Sequence, residues 1–115
     1  MADKQVDREV LDTLREVMED SYPDLLDTFL CDSESRLHEL QKTADARVLS
    51  EVAHSFKGSA SNMGAVRLAA LCQELETDAK NKSPAENVKL VAEISGEFAN
   101  VRPVYENERQ HLHLH

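Results

Sequence analysis

The sequence predicts an all-α fold, an antiparallel four-helix bundle with an additional N-terminal helix, and three observations carry that prediction. The 115 residues hold only 3 Gly and 3 Pro, with abundant Ala, Leu, Glu and Lys, a composition that favours helix nearly everywhere. Apolar residues recur at three- and four-residue spacing along almost the whole chain. The breaks between these periodic segments are short, which makes consecutive helices antiparallel neighbours.

Val6, Val10, Leu14, Val17 and Met18 define a first helix from about Val6 to Glu19, an extra element that the bundle would wear as a lid. Ser21-Tyr22-Pro23-Asp24 is a start signal, since proline is tolerated in a first helical turn. The second helix then buries Leu26, Phe29, Leu30, Leu37 and Leu40 and ends near Lys42. Asp45 is placed to cap a third helix that runs to about Asn62. Gly64 follows as a helix-terminating glycine or the mouth of a tight helical hairpin. The fourth helix carries Val66, Leu68, Leu71, Cys72 and Leu75 and fades between Asp78 and Lys82. Ser83-Pro84-Ala85-Glu86 reads as a capping box with proline at the first helical position. The fifth helix uses Leu90, Val91, Ile94, Phe98, Val101 and Tyr105, and Pro103 is expected to kink it or end it early. One domain spans residues 1–110. Residues 111–115 form a short tail in which His111, His113 and His115 alternate with leucine, a pattern unlike a helix.

Composition excludes several functions. The net charge is −9, which repels phosphate backbones and argues against nucleic-acid binding. No apolar run approaches the ~20 residues that a membrane span needs, and the first residues lack the pattern of a signal peptide. Cys31 and Cys72 both fall in helical segments and read as reduced thiols of a cytoplasmic protein. The charge is uneven. Residues 1–45 carry 13 acids against 5 bases and residues 68–115 carry 8 against 5, whereas residues 46–67 hold Arg47, Lys57 and Arg67 against Glu51 alone. That basic island suits a surface meeting a negatively charged group on a partner.

The island contains the most informative stretch, Ala53-His54-Ser55-Phe56-Lys57-Gly58. At about 100° per residue, Lys57, Gly58 and Ser61 fall within ~60° of His54. Leu49, Val52, Phe56 and Met63 lie opposite, flanked by Ala53 and Ala60. His54 is therefore expected to face water beside a cation and a missing side chain. An imidazole, with a reference pKa near ~6.5, is largely neutral and nucleophilic at physiological pH. It can take a phosphoryl group on a ring nitrogen, and Lys57 one turn on can bond the phosphoryl oxygens. Gly58 costs a helix roughly 1 kcal/mol, so its place on a solvent face points to steric clearance.

His54-Ser-Phe-Lys57-Gly58-Ser59, then Asn62-Met-Gly64-Ala65, then Leu68-Ala-Ala-Leu71-Cys72, resembles the histidine phosphotransfer (HPt) domains of bacterial two-component phosphorelays. The similarity continues into Tyr22-Pro-Asp-Leu-Leu-Asp-Thr-Phe-Leu30. The resemblance implies that His54 is the phospho-acceptor and Lys57 the phosphate contact, with Gly58 and Gly64 permitting close approach of a receiver domain and Ser61 on the same contact face. Family members often place Gln or Glu on the following helix, bonded to the active imidazole. The matching position is Glu76, which read alone is equally a solvated helix residue, and Gln73 is a second candidate for that rim. The partners so implied are receiver domains of hybrid sensor kinases and of response regulators. The chain would be a monomeric phosphorylated carrier and not an enzyme, with no cofactor, because Mg²⁺ and the catalytic groups of the family's reaction lie on the receiver. A purely structural bundle would leave the basic island and Gly58 without a reason. A zinc site lacks a second ligand three or four residues from His54. His38 is expected to be an ordinary surface residue.

Overall fold

The computed structural model describes residues 5–113. Five α-helices account for nearly all of them: α1 (Arg8–Met18), α2 (Tyr22–Lys42), α3 (Ala46–Asn62), α4 (Val66–Asp78) and α5 (Pro84–His113), with one 3₁₀ turn at Glu19–Ser21. The bundle proper is α2–α5. Each helix packs on the next in chain order and α2 closes the ring against α5, the up-down-up-down arrangement that short loops dictate.

Local chemistry sets the helix boundaries. The Asp45 carboxylate accepts the Arg47 backbone N–H at 2.9 Å and starts α3. The capping box before α5 is reciprocal: Ser83 N–H donates to Glu86 Oε1 at 2.9 Å, and Glu86 N–H donates to Ser83 Oγ at 3.2 Å. The α3–α4 turn is a Schellman closure. Ala65 N–H reaches back to Ala60 O at 2.9 Å and Gly64 N–H to Ser61 O at 3.1 Å, which requires a left-handed residue between them. Gly64 supplies it at φ +76°.

The core is built from the faces that the periodicity selects. Leu26, Phe29, Leu37 and Leu40 of α2, Leu49, Ala53, Phe56 and Ala60 of α3, Leu68, Cys72 and Leu75 of α4, and Leu90, Val91, Ile94, Phe98, Val101 and Tyr105 of α5 are all buried. Leu30 is only half-buried at the edge.

Three expectations need correction, and of the two outcomes expected at Pro103 the early end is excluded. In α1 the fully buried residue is Leu11, while Val17 is 72 % exposed. The helix docks through Leu11, with Leu14 and the terminal Met18 half-buried against the core, while Val17 falls outside that stripe and is left to solvent. Val66, at the start of α4, is likewise exposed. Pro103 does not end α5, which continues ten residues beyond it to His113. The proline and Ala99, whose carbonyl loses its helical donor, both face solvent, and the downstream segment is anchored by other contacts. Tyr105 Oη donates to the Met63 carbonyl at 2.7 Å. Buried Glu108 accepts from Tyr22 Oη at 2.8 Å and from Arg8 Nη2 at 2.8 and 3.0 Å. Finally, the alternating tail is helical through His113, with Leu112 packed against the core. Leu114 and His115 lie outside the described residues. The same contacts hold α1 in place, helped by a 2.7 Å bond from Asp7 N–H to Gly64 O.

Candidate functional site

The middle of α3 faces core on one side and water on the other. Ala53 and Phe56 are fully buried, and between them in sequence His54 stands 68 % exposed. The burial of α3 against α4 thus fixes where the imidazole points. The two helices are pinned beside it by Ser50, one turn before His54, whose Oγ donates to the Glu76 main-chain oxygen at 2.8 Å. That bond sets the height of Glu76 relative to the imidazole.

The consequence is a short polar chain across the two helices. His54 Nδ1 lies 2.7 Å from Glu76 Oε2. The second carboxylate oxygen, Oε1, lies 2.7 Å from Lys57 Nζ. Lys57 also donates to Gln73 Oε1 at 2.9 Å, and Gln73 Nε2 donates to Thr77 Oγ1 at 2.9 Å. Glu76 therefore sits between two bases. The Lys57 ammonium first, and the His54 bond second, hold its carboxyl below the usual carboxylate range.

An ionised carboxylate only accepts hydrogen bonds, so the proton shared with His54 sits on Nδ1. In the neutral ring this leaves the lone pair on Nε2. The arrangement presents a fixed, solvent-facing nucleophilic nitrogen with its orientation set from behind. It also keeps an ammonium group one helical turn away.

Of the residues singled out in the sequence, the structure brings His54, Lys57, Gln73 and Glu76 into one bonded set. Gly58 and Ser61 continue the same exposed stripe of α3, and a Cβ on Gly58 would meet nothing within 4 Å. Gly64 is not part of that surface. It is buried under the start of α1, where a Cβ would stand 3.0 Å from Asp7 O and 3.0 Å from Val10 Cβ. What Gly64 admits at close range is the chain's own N-terminal segment. His38 is exposed on α2. Sequence reasoning missed Ser50 and Thr77. Both were findable, because Ser50 lies one turn before His54 on the same stripe and Thr77 one turn after Gln73.

Comparison with known proteins shows the family to which this fold belongs. A family model described as Hpt domain matches residues 24–103. The chain belongs to the histidine phosphotransfer (Hpt) family. The crystal structure of histidine-containing phosphotransfer protein B from Pseudomonas aeruginosa PAO1 is similar over 93 % of this chain and 96 % of that one, with 48 % identity and a TM-score of 0.88. Among curated protein sequences, none matches this chain significantly. Histidine phosphotransfer in phosphorelays, in contact with receiver domains, is thus the family's function, and the all-helical bundle is its fold. Among the described residues no helix is long and apolar enough to cross a membrane.

Proposed function

We propose that His54 is the phospho-acceptor of this Hpt domain, taking a phosphoryl group on Nε2 from the phospho-aspartate of a hybrid sensor kinase's receiver domain. It then passes the group to the receiver aspartate of a response regulator. The observation that carries this reading is the 2.7 Å bond between His54 Nδ1 and Glu76, which leaves Nε2 as the free nitrogen of an exposed ring. Attack needs a lone pair aimed outward at a partner's phosphorus, and a carboxylate behind the ring fixes the tautomer that supplies it.

Lys57 is the phosphate contact. Its side chain is 27 % exposed, so the ammonium is within reach of solvent-borne oxygens while resting against Glu76. Gly58 and Ser61 give the receiver a low surface to approach, and Gln73 forms the rim on the α4 side. The chain acts as a carrier and does not catalyse turnover on its own. The receiver would contribute Mg²⁺ and its acidic pocket, and the carrier would act as a monomer in the cytoplasm.

The test is phosphoryl transfer from a radiolabelled, phosphorylated receiver domain to this chain and to its His54→Gln variant. Label on the parent that is acid-labile and base-stable, with none on the variant, is the expected result. Equal labelling of the two would assign the phosphoryl group to another residue. No labelling of either from several receivers would reduce the site to a binding surface.

A further inference from the structure

The charge on the group behind the imidazole has a chemical consequence that a hydrogen bond alone does not. Inward transfer breaks the P–O bond to the donor aspartate, which keeps the electron pair as a carboxylate. The Nε2 lone pair forms the new N–P bond. No proton moves, so a ring that entered with its proton on Nδ1 ends with both nitrogens substituted and carries a positive charge. Outward transfer reverses this. The N–P bond breaks, its pair returns to Nε2, and the leaving group is a neutral imidazole. A phosphorylated ring that had already lost its Nδ1 proton would have to leave as an imidazolate anion, a far poorer leaving group.

Resting on the assignment of His54 above, we propose that Glu76 is a positioning residue for outward transfer: its carboxylate keeps the proton on Nδ1 of the phosphorylated ring, so that the phosphoryl group departs from a neutral leaving group. The contact is 2.7 Å and direct. A carboxylate there offsets the ring's positive charge, as the buried aspartate does for the imidazolium of a serine protease. Glutamine would accept the same hydrogen bond without the charge.

The surrounding groups bear on the sign. On α3, Lys57 lies 2.7 Å from the other oxygen of Glu76, which keeps that carboxyl ionised but also opposes a positive ring. Glu51, one turn before His54, is 68 % exposed and paired with Arg47 at 3.5 Å. Arg36 and Glu39 of α2 line a groove with Glu51 and Ser55 on the flank of α3. On α4 the remaining contacts to this set, Gln73 and Thr77, are neutral. Glu76 is thus the one anion in direct contact with the ring among the described residues. Gln73, held by Thr77, keeps Lys57 at its resting place.

The experiment compares the parent with Glu76→Gln. Each is phosphorylated by a labelled receiver domain and freed of it. Each is then mixed with a response-regulator receiver domain that accepts label from the parent, between about pH 5.5 and 9. Proton loss from the phosphorylated ring slows outward transfer as pH rises. Removing the carboxylate charge makes that loss easier, so the variant's fall is expected about 0.5 to 1 pH unit lower, the reduced size reflecting solvent screening of an exposed ring. Rates should agree near pH 6 and differ roughly 3- to 10-fold near pH 8, a factor that follows from the shift. Superimposable profiles would overturn the proposal while leaving His54 as acceptor. A uniform slowing at every pH would overturn it too, since it would mark Glu76 as a packing residue. An unlabelled parent would overturn both this inference and the assignment beneath it.

Discussion

Replacing Gly64 with alanine tests whether the α3–α4 turn serves the partner or the fold. Two penalties arise in the structure. At φ +76° a residue bearing Cβ is disfavoured by roughly 1–2 kcal/mol. The new methyl would also stand 3.0 Å from a backbone oxygen of Asp7 and 3.0 Å from Val10 Cβ. Neither is the far end of a flexible side chain, so the start of α1 must move. That movement strains the 2.7 Å Asp7 N–H to Gly64 O bond, and a bond of this kind contributes about 0.5–1.5 kcal/mol. The expected cost is roughly 2–4 kcal/mol, which in a domain of this size lowers Tm by about 8–16 °C.

Thermal unfolding followed by circular dichroism measures this, with two controls. Gly64→Asn keeps the clash but eases the torsion, since Asn tolerates the left-handed region. It should recover about half of the loss. Gly58→Ala should do the opposite of Gly64→Ala. Gly58 is exposed and mid-helix with open space around its Cβ position, so alanine should stabilise by about 0.5–1 kcal/mol while slowing phosphoryl exchange with a receiver. A Tm loss below about 3 °C for Gly64→Ala would refute the docking of α1 on the turn.

Two further outcomes follow from burial. Burial pushes the Cys72 thiol up to about 12, whereas Cys31 is exposed. At pH 8 Cys72 therefore stays protonated and sheltered, and a thiol reagent should titrate Cys31 alone until denaturant exposes both. Fast reaction of both thiols in buffer would mean that α4 opens readily. Tyr105→Phe removes the 2.7 Å bond to the buried Met63 carbonyl and should cost about 1–3 kcal/mol in urea unfolding. No loss would show that α5 beyond Pro103 is held by other contacts.

The parts of this molecule that depend on periodicity were legible in the sequence, because burial of a helix face needs only the identity of residues three and four apart. The capping box at Ser83 and the cap at Asp45 were legible for the same reason: their partners lie two or three residues away. The exposed stripe of His54, Lys57 and Gly58 could be derived from spacing, but its meeting with Glu76 required the register of α3 on α4. That register is set by the Schellman turn and by Ser50. What stayed hidden was long-range and polar. Arg8, Tyr22 and Glu108 come together from three helices up to 100 residues apart, and no local pattern announces it. The survival of α5 past Pro103 belongs to the same class, since local propensity of about 3 kcal/mol against it is outweighed by distant contacts. Gly64 is the converse case: its turn is legible from local sequence, but the close approach it permits is that of the chain's own N-terminal segment, which no local pattern reveals.

The distribution of these contacts separates the candidate site from the groups that hold the fold. His54 and Glu76 are separated by 22 residues but joined through a single short hairpin, so their distance is fixed locally. The groups that anchor the ends of the bundle, Tyr105 at the turn and Glu108 beneath α1, make no contact with the His54–Glu76–Lys57 chain. Apart from Gly58, where alanine also raises helix propensity, substitutions on the exposed stripe should therefore change transfer rates with little change in Tm, since surface positions away from caps and buried networks usually move stability by no more than about 0.5 kcal/mol. The carboxylate behind the ring bridges the two classes, because its main-chain oxygen accepts from Ser50 while its side chain faces the imidazole. Glu76→Gln leaves the main-chain bond intact and alters only the charge, which makes it the substitution that separates architecture from chemistry at this site.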